Sequence, residues 1–215
     1  MSDDIFIFDE TGTVLEGVRD TSIKSAVVPE RVKKIVESAF SWCTSLKSID
    51  LPEGVTKIGE DAFYGCKSLE NIDLPEGLTE IGNGAFSWCT FLVSINLPEG
   101  LQEIGGWAFK GCSSLKSIDL PKGQKRIGEL AFYCCKSLES IDLPEGLKKI
   151  GLGAFRGCTN LTSIHSAIRD LENVEIDDDA FGVNMDECIL YVPDGTQEAY
   201  RHHPVFSKFK NIETE

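Results

Sequence analysis

The sequence has no long apolar run, no excess of positive charge and few histidines. No stretch approaches the roughly 20 consecutive apolar residues that a transmembrane helix needs, which argues against membrane insertion. The chain has 21 Lys and Arg residues against 35 Asp and Glu residues, and its formal net charge is -14. Phosphates repel a surface of this sign, so nucleic acid and anionic membranes are not expected partners. With 3 histidines and no Cys-x-x-Cys pair, the sequence also lacks the usual spacing of a zinc site.

The first residues contain no export signal. Met1 is followed closely by Asp3 and Asp4, and neither the basic nor the apolar segment of a signal peptide is present. As written, the sequence therefore predicts a cytoplasmic location. A secreted or cell-surface location stays open if a leader has been removed.

What the sequence has in abundance is one repeated unit. Phenylalanine recurs at a fixed spacing of 23 residues (63 − 40 = 23), at Phe40, Phe63, Phe86, Phe109, Phe132 and Phe155. A fixed period in this range is typical of a solenoid, in which each unit is too short to bury its apolar side alone. After Phe63 come Cys66, Leu69 and Ile72, and the segment Leu-x-x-Ile-x-Leu ends at Leu74, directly before Pro75. Its period-2 alternation predicts a short strand of a parallel sheet, which proline ends because it has no N–H for the ladder.

A second apolar pair closes each unit, for example Leu78 and Ile81. It predicts a very short strand on the opposite side of the coil. The following Ala-Phe-x-x-Cys predicts a single helical turn that buries Phe and Cys. Gln124 interrupts the Val/Leu column of this second pair and predicts a local weakness.

These residues resemble the BspA-like leucine-rich repeat family, whose repeat reads roughly L-x-x-I-x-L-P-x-x-L-x-x-I-G-x-x-A-F-x-x-C. The resemblance covers about Val28 to Ile189 and recurs in every unit. It implies a leucine-rich repeat solenoid: a right-handed coil with a concave parallel β-sheet, short second strands and single helical turns. It also implies a non-enzymatic binding module without a family active site, of a kind often displayed on cell surfaces.

The regions outside the repeat predict lids on the solenoid. Residues 1–27 predict an N-terminal capping hairpin, 28–187 the solenoid itself, and 188–215 a C-terminal strand–helix cap, all in one continuous domain. An end coil without a lid would expose its Phe and Leu side chains to water.

The 8 cysteines include six in one repeat column. A column of this kind predicts reduced thiols that act as small core residues. Disulfides stay open as an alternative, because stacked strands lie about 4.8 Å apart, within the Cα range of a disulfide. Metal binding is a third interpretation.

The outward positions of the predicted concave strands form an acidic column. Where the other coils carry charged or small polar side chains, one coil carries Phe91, Val93 and Asn96. Trp88 lies nearby in sequence and either joins this apolar spot or covers the helical turn, as Trp42 would. The predicted binding residues are Ser48, Asp50, Asn71, Asp73, Phe91, Val93, Asn96, Asp119, Ser140, Asp142, Ser163 and His165.

This face has several interpretations. It predicts a site for a basic protein or peptide partner, while a merely solvated surface and a calcium site stay open. A hydrolase using Ser140 or Ser163 with His165 and Asp142 is a further alternative, although an open sheet lacks the oxyanion hole that a triad needs. The function favoured by the sequence is a non-catalytic protein–protein interaction module without a cofactor. A cell-surface adhesin repeat domain is the alternative within binding.

Overall fold

The computed structural model of the chain describes residues 3–215, and they coil into a parallel β-solenoid. The strands are β1 (Phe6–Phe8), β2 (Val14–Val18), β3 (Ser25–Val27), β4 (Lys34–Ile35), β5 (Ser48–Asp50), β6 (Lys57–Ile58), β7 (Glu80–Ile81), β8 (Glu103–Ile104), β9 (Arg126–Ile127), β10 (Ser140–Leu143), β11 (Lys149–Ile150), β12 (Ser163–Ser166), β13 (Glu175–Ile176), β14 (Ile189–Val192) and β15 (Asn211–Thr214). The helices are α1 (Gln197–His202) and three 3-10 turns at Asp3–Ile5, Leu171–Asn173 and Phe206–Lys208. No helix in residues 3–215 combines the length and apolar character needed to cross a membrane.

One continuous sheet, the long sheet, runs along the molecule. It has nine strands in the order β1-β2-β4-β6-β7-β8-β9-β11-β13, and all neighbours are parallel except the β1–β2 hairpin. In most of its two-residue strands the isoleucine is buried and the preceding charged residue faces water. A glycine directly follows five of these strands, at Gly59, Gly82, Gly105, Gly128 and Gly151. A Cβ on Gly105 would lie 2.7 Å from the backbone N of Asn83, so the coils approach here more closely than a side chain allows.

The opposite side, here called the strand face, consists of the outward residues of the Leu-x-x-Ile-x-Leu segments, of the residue before each segment, and of β14 and β15. The sequence places the main sheet on this side. The structure instead divides it into a β3–β5 pair and a four-stranded sheet, β10-β12-β14-β15. Between them lie isolated bridges from Asp73 to Asn96 and from Asn96 to Asp119, which join neither sheet. The continuous sheet is thus built from the strands predicted as minor. The physical reason lies in the residue that follows each strand: glycine lets the backbones of the long sheet approach, whereas proline on the strand face removes a ladder donor.

The core is a stack of phenylalanine rings. The rings from Phe40 to Phe181 lie with centroids 5.1 to 5.5 Å apart and with planes within 6° of parallel. At one end Phe6 meets Phe40 edge-on at 6.4 Å, and at the other Phe209 meets Phe181 edge-on at 5.7 Å. The hairpin and the C-terminal segment therefore cover both ends of the stack with a perpendicular ring.

The cysteine column lies beside this stack, and its predicted burial is confirmed. Each thiol from Cys66 to Cys158 donates to the carbonyl oxygen of the Phe one coil earlier, at 3.1 to 3.2 Å. All 8 cysteines are free, and only Cys134 is partly exposed. Burial raises the pKa of the Cys112 and Cys158 thiols to about 12. At neutral pH these thiols are protonated and act as small apolar residues rather than as nucleophiles or metal ligands.

The third side of the coil, here called the turn side, carries the Ala-Phe-x-x-Cys segments. The residues two before and two after each Phe have positive φ, including Trp42, Trp88 and Trp107. In the column two after Phe, a larger side chain alternates with glycine: Trp42, Gly65, Trp88, Gly111, Cys134, Gly157. A Cβ on Gly111 would lie 2.9 Å from Cε3 of Trp88. Each larger side chain therefore lies over the glycine of the next coil.

Gln124 is the one polar residue in the inward column of Leu78, Leu101 and Leu147. It allows the free-energy cost of burying a polar side chain to be measured. Its side chain is fully buried, its amide nitrogen donates to the carbonyl oxygens of Gln102 and Arg126, and its Oε1 has no hydrogen-bond partner. An unpaired buried acceptor costs about 1–3 kcal/mol. We expect Gln124→Leu to raise the free energy of unfolding by about 1 kcal/mol and Tm by roughly 2–4 °C, measured by thermal and urea denaturation.

The mirror substitution, Leu101→Gln, provides the matched control. Leu101 occupies the same column one coil earlier and is fully buried. It should lower Tm. A Gln124→Leu protein that melts below the wild type would show that the amide's two donated bonds outweigh its unpaired oxygen.

Candidate interaction surface

The strand face brings the predicted binding residues into neighbouring columns. Asp142 and His165 are register partners, as are Ser140 and Ser163. Asn96 bridges to Asp73 and Asp119 on either side. The inner column, eight residues after each repeat Phe, holds Ser48, Asn71, Ser94, Ser117, Ser140 and Ser163; the outer column, two residues further on, holds Asp50, Asp73, Asn96, Asp119, Asp142 and His165. Successive members are separated by about 4.8 Å, the spacing of paired strands.

The outer column carries uncompensated negative charge. Asp50, Asp73, Asp119 and Asp142 are exposed, and among residues 3–215 none of their carboxylates has an ion-pair partner. Like charges at this spacing repel by about 1 kcal/mol in bulk water. Asn96 separates the four carboxylates into two pairs. The resulting field favours the approach of a positively charged molecule.

An apolar spot lies at the middle of this acidic face. Phe91 is 63% exposed and Val93 is 43% exposed. The N–H of Val93 donates to the carbonyl oxygen of Glu70 at 3.0 Å, and Val93 accepts from Lys116 at 3.2 Å. Val93 therefore sits between two charged residues in its column. The core does not need a phenyl ring that remains this exposed.

His165 is held by the C-terminal segment. Its Nδ1 lies 2.9 Å from Oε2 of Glu215, and its ring stacks on Tyr191 at 4.6 Å. A depression of about 370 Å³ beside it is lined by Asp142, Leu143, His165 and Glu215 among others. Among residues 3–215 no hydrogen bond joins His165 to Ser140 or Ser163. The serine, histidine and aspartate of the hydrolase alternative are neighbours without being connected as a triad.

Tyr191 and Glu215 were not among the predicted site residues. They reach the strand face because β14 pairs with β12, and β15 then pairs with β14. The period-2 pattern of Ile189–Val192 was a signal for the first of these strands. Residues 211–214 do not match the repeat, so the sequence contains no signal for the second strand, β15.

The repeat unit itself is matched by a known family. A family model described as "BspA type Leucine rich repeat region" matches in 6 copies over residues 18–113 and 89–186. The chain belongs to the BspA-type leucine-rich repeat family. This confirms the family and the solenoid fold that the sequence predicts.

Solved structures of bacterial leucine-rich repeat proteins share the fold of this BspA-type chain. A Treponema pallidum leucine-rich repeat protein is 35% identical, with a TM-score of 0.72, over 76% of this chain and 80% of the other. A leucine-rich repeat protein from Eubacterium ventriosum is 26% identical, with a TM-score of 0.69, over 85% of this chain and 49% of the other. No curated protein matches the chain.

The acidic column of this BspA-type solenoid does not converge on a point. In the part of the chain that the structure describes, no group of three or more His, Cys, Asp or Glu residues is arranged to hold a metal ion. Four coils each contribute one carboxylate to a line that Asn96 interrupts.

Trp88 does not belong to the apolar spot on the strand face. It is 42% exposed on the turn side, where its indole covers Gly111. Of the two interpretations of Trp88, the structure therefore supports the one that places it over a turn. The apolar spot of this BspA-type chain consists of Phe91 and Val93.

Proposed function

We propose that this BspA-type leucine-rich repeat protein is a non-catalytic interaction module that binds a basic protein or peptide on its strand face. The observation that carries the proposal is the pairing of unneutralised carboxylates with an exposed apolar spot on one rigid surface. A cell-surface adhesin would use the same surface, so the proposal does not depend on the compartment.

The two features have different roles. Exposed ion pairs contribute only about 0–1 kcal/mol each, so the aspartates mainly accelerate and orient the approach of the partner. Phe91 and Val93 supply apolar area that loses water on binding, which is the usual source of an anchor. Recognition should spread over several coils, because equivalent side chains recur along the column.

Two substitutions test this division of roles once a partner has been isolated with the intact chain. Phe91→Ser introduces the residue that the neighbouring coils carry at Ser68 and Ser114, so the fold should tolerate it. We expect it to weaken binding about tenfold through a faster off-rate. Asp119→Lys should slow the on-rate severalfold, and the effect should shrink as salt is raised. Surface plasmon resonance at two salt concentrations measures both rates.

Glu103→Lys makes the same charge change on the long sheet and serves as the matched control. It should leave the on-rate closer to that of the wild type than Asp119→Lys does. If the partner binds both strand-face variants as tightly and as quickly as the wild type, the strand face is not the binding surface.

A further inference from the structure

A second exposed aromatic surface lies on the turn side, away from the strand face. The three tryptophans of the chain, Trp42, Trp88 and Trp107, are 53%, 42% and 39% exposed. Trp88 and Trp107 line a shared cavity of about 290 Å³ together with Tyr64. We call this cavity the tryptophan groove.

The rest of the groove is polar and mainly acidic. Glu60 and Asp61 line it, with Asn83 and Ser87 as neutral polar residues and Lys110 as its one cation. Trp107 also borders an adjoining depression that contains Glu103 and Glu129 together with one cation, Arg126. Aromatic surface surrounded by an excess of carboxylates suits a ligand that combines a flat or apolar body with positive charge.

The two indoles of the groove stand at turn positions whose backbone favours glycine. Trp88 has φ 62° and Trp107 has φ 57°, a region that favours glycine. Gly65 and Gly111 occupy the column of Trp88, and Gly84 and Gly153 occupy that of Trp107. A bulky residue in this conformation costs free energy that glycine would not.

One carboxylate of the groove, that of Asp61, lies near a further negative charge outside the groove. Asp61 is half-buried, and its pKa is raised by burial and by the nearby negative charge of Glu37. Its side chain lies over Gly84 in the next coil. A cation bound between Asp61 and Glu60 would compensate both carboxylates.

We propose that the tryptophan groove binds an arginine side chain of a partner protein. Its planar guanidinium stacks on the indole of Trp88 or Trp107 and pairs with Glu60 and Asp61. Arginine fits better than lysine because its guanidinium is flat, weakly hydrated and able to donate two parallel hydrogen bonds to a carboxylate. The cavity lies at the lower end of the volumes that hold small molecules, so it takes one side chain rather than a larger ligand.

The test uses N-acetylarginine amide as the probe and the full chain labelled with ¹⁵N. Each tryptophan gives one indole N–H signal, assigned with Trp88→Gly, Trp107→Gly and Trp42→Gly, which place glycine at positive-φ positions. We expect the Trp88 and Trp107 signals to shift saturably in the millimolar range, and the Trp42 signal to stay in place. The citrulline analogue, which has the same shape without the charge, should produce no saturable shift.

Two further variants separate the groove from general acidity. Glu60→Gln combined with Asp61→Asn should raise the Kd about tenfold, whereas Phe91→Ser on the strand face should leave it within twofold. Equal shifts at all three indoles, equal binding of citrulline, or no saturable shift at all would overturn the proposal. Saturable shifts with maltohexaose in place of the arginine amide would overturn it as well, since they would identify a sugar site. None of these outcomes bears on the strand face, so the two proposals fail independently.

Discussion

Gly105→Ala is expected to destabilise the protein by about 3 kcal/mol and to lower Tm by roughly 6–12 °C. The new methyl group would lie 2.7 to 2.8 Å from backbone atoms of Gly82 and Asn83 in the preceding coil. Backbone atoms cannot rotate away as a side chain does. The long sheet would therefore have to open at this coil, and its parallel pairing on both sides would be strained.

Gly100→Ala is the matched control, five residues earlier in the same coil. Its added methyl group would lie 3.6 Å from the nearest atom, the carbonyl oxygen of Glu76, which is ordinary van der Waals contact. We expect a change of less than about 0.5 kcal/mol in urea denaturation. Equal destabilisation by the two substitutions would mean that close approach of the coils is not what requires glycine at position 105.

Deleting residues 189–215 is expected to have the largest effect of all, with aggregation or a fall in Tm of more than about 10 °C. The segment contributes the buried side chains of Tyr200, Phe206 and Phe209. Phe206 and Phe209 cover Phe181, the last ring of the phenylalanine stack. Loss of these contacts exposes apolar surface to water, which costs about 25 cal/mol of folding free energy per Å².

A shorter truncation after Lys210 distinguishes capping from simple loss of chain. It removes β15, whose residues are half-buried or exposed, and leaves all three aromatic side chains in place. We expect its Tm to lie much closer to that of the full chain, as measured by differential scanning calorimetry with light scattering. If the longer deletion melts like the full protein and stays soluble, the C-terminal segment does not stabilise the end coil.

The inward columns could be predicted from the sequence because each has one chemical character. Phe63, Cys66, Leu69 and Ile72 and their equivalents are all buried, as a period of 23 residues with a single core requires. The distribution of regular pairing could not be predicted in the same way. It depends on how closely Gly105 and its equivalents let the backbones approach, which is a distance between coils rather than a pattern within one.

The outward columns were predictable for a similar reason. Asp119 and Asp142 lie on one face because they occupy the same outward position in successive coils. The contact between His165 and Glu215 could not be predicted, since the last strand follows an irregular connection rather than the repeat. The positive φ of Trp88 was also hidden, because the sequence shows only that tryptophan and glycine share a column.

That shared column has a consequence for how such a chain can grow or shrink. Trp42 and Trp88 lie 46 residues apart (88 − 42 = 46), with Gly65 between them. Loss of the coil containing Gly65 would place two indoles where one indole and one glycine now fit. Loss of the coil containing Trp88 would place Gly111 directly after Gly65, with no larger side chain over Gly111. Along this stretch the unit that duplication or unequal crossing-over can add or remove without a clash or a gap is a pair of coils.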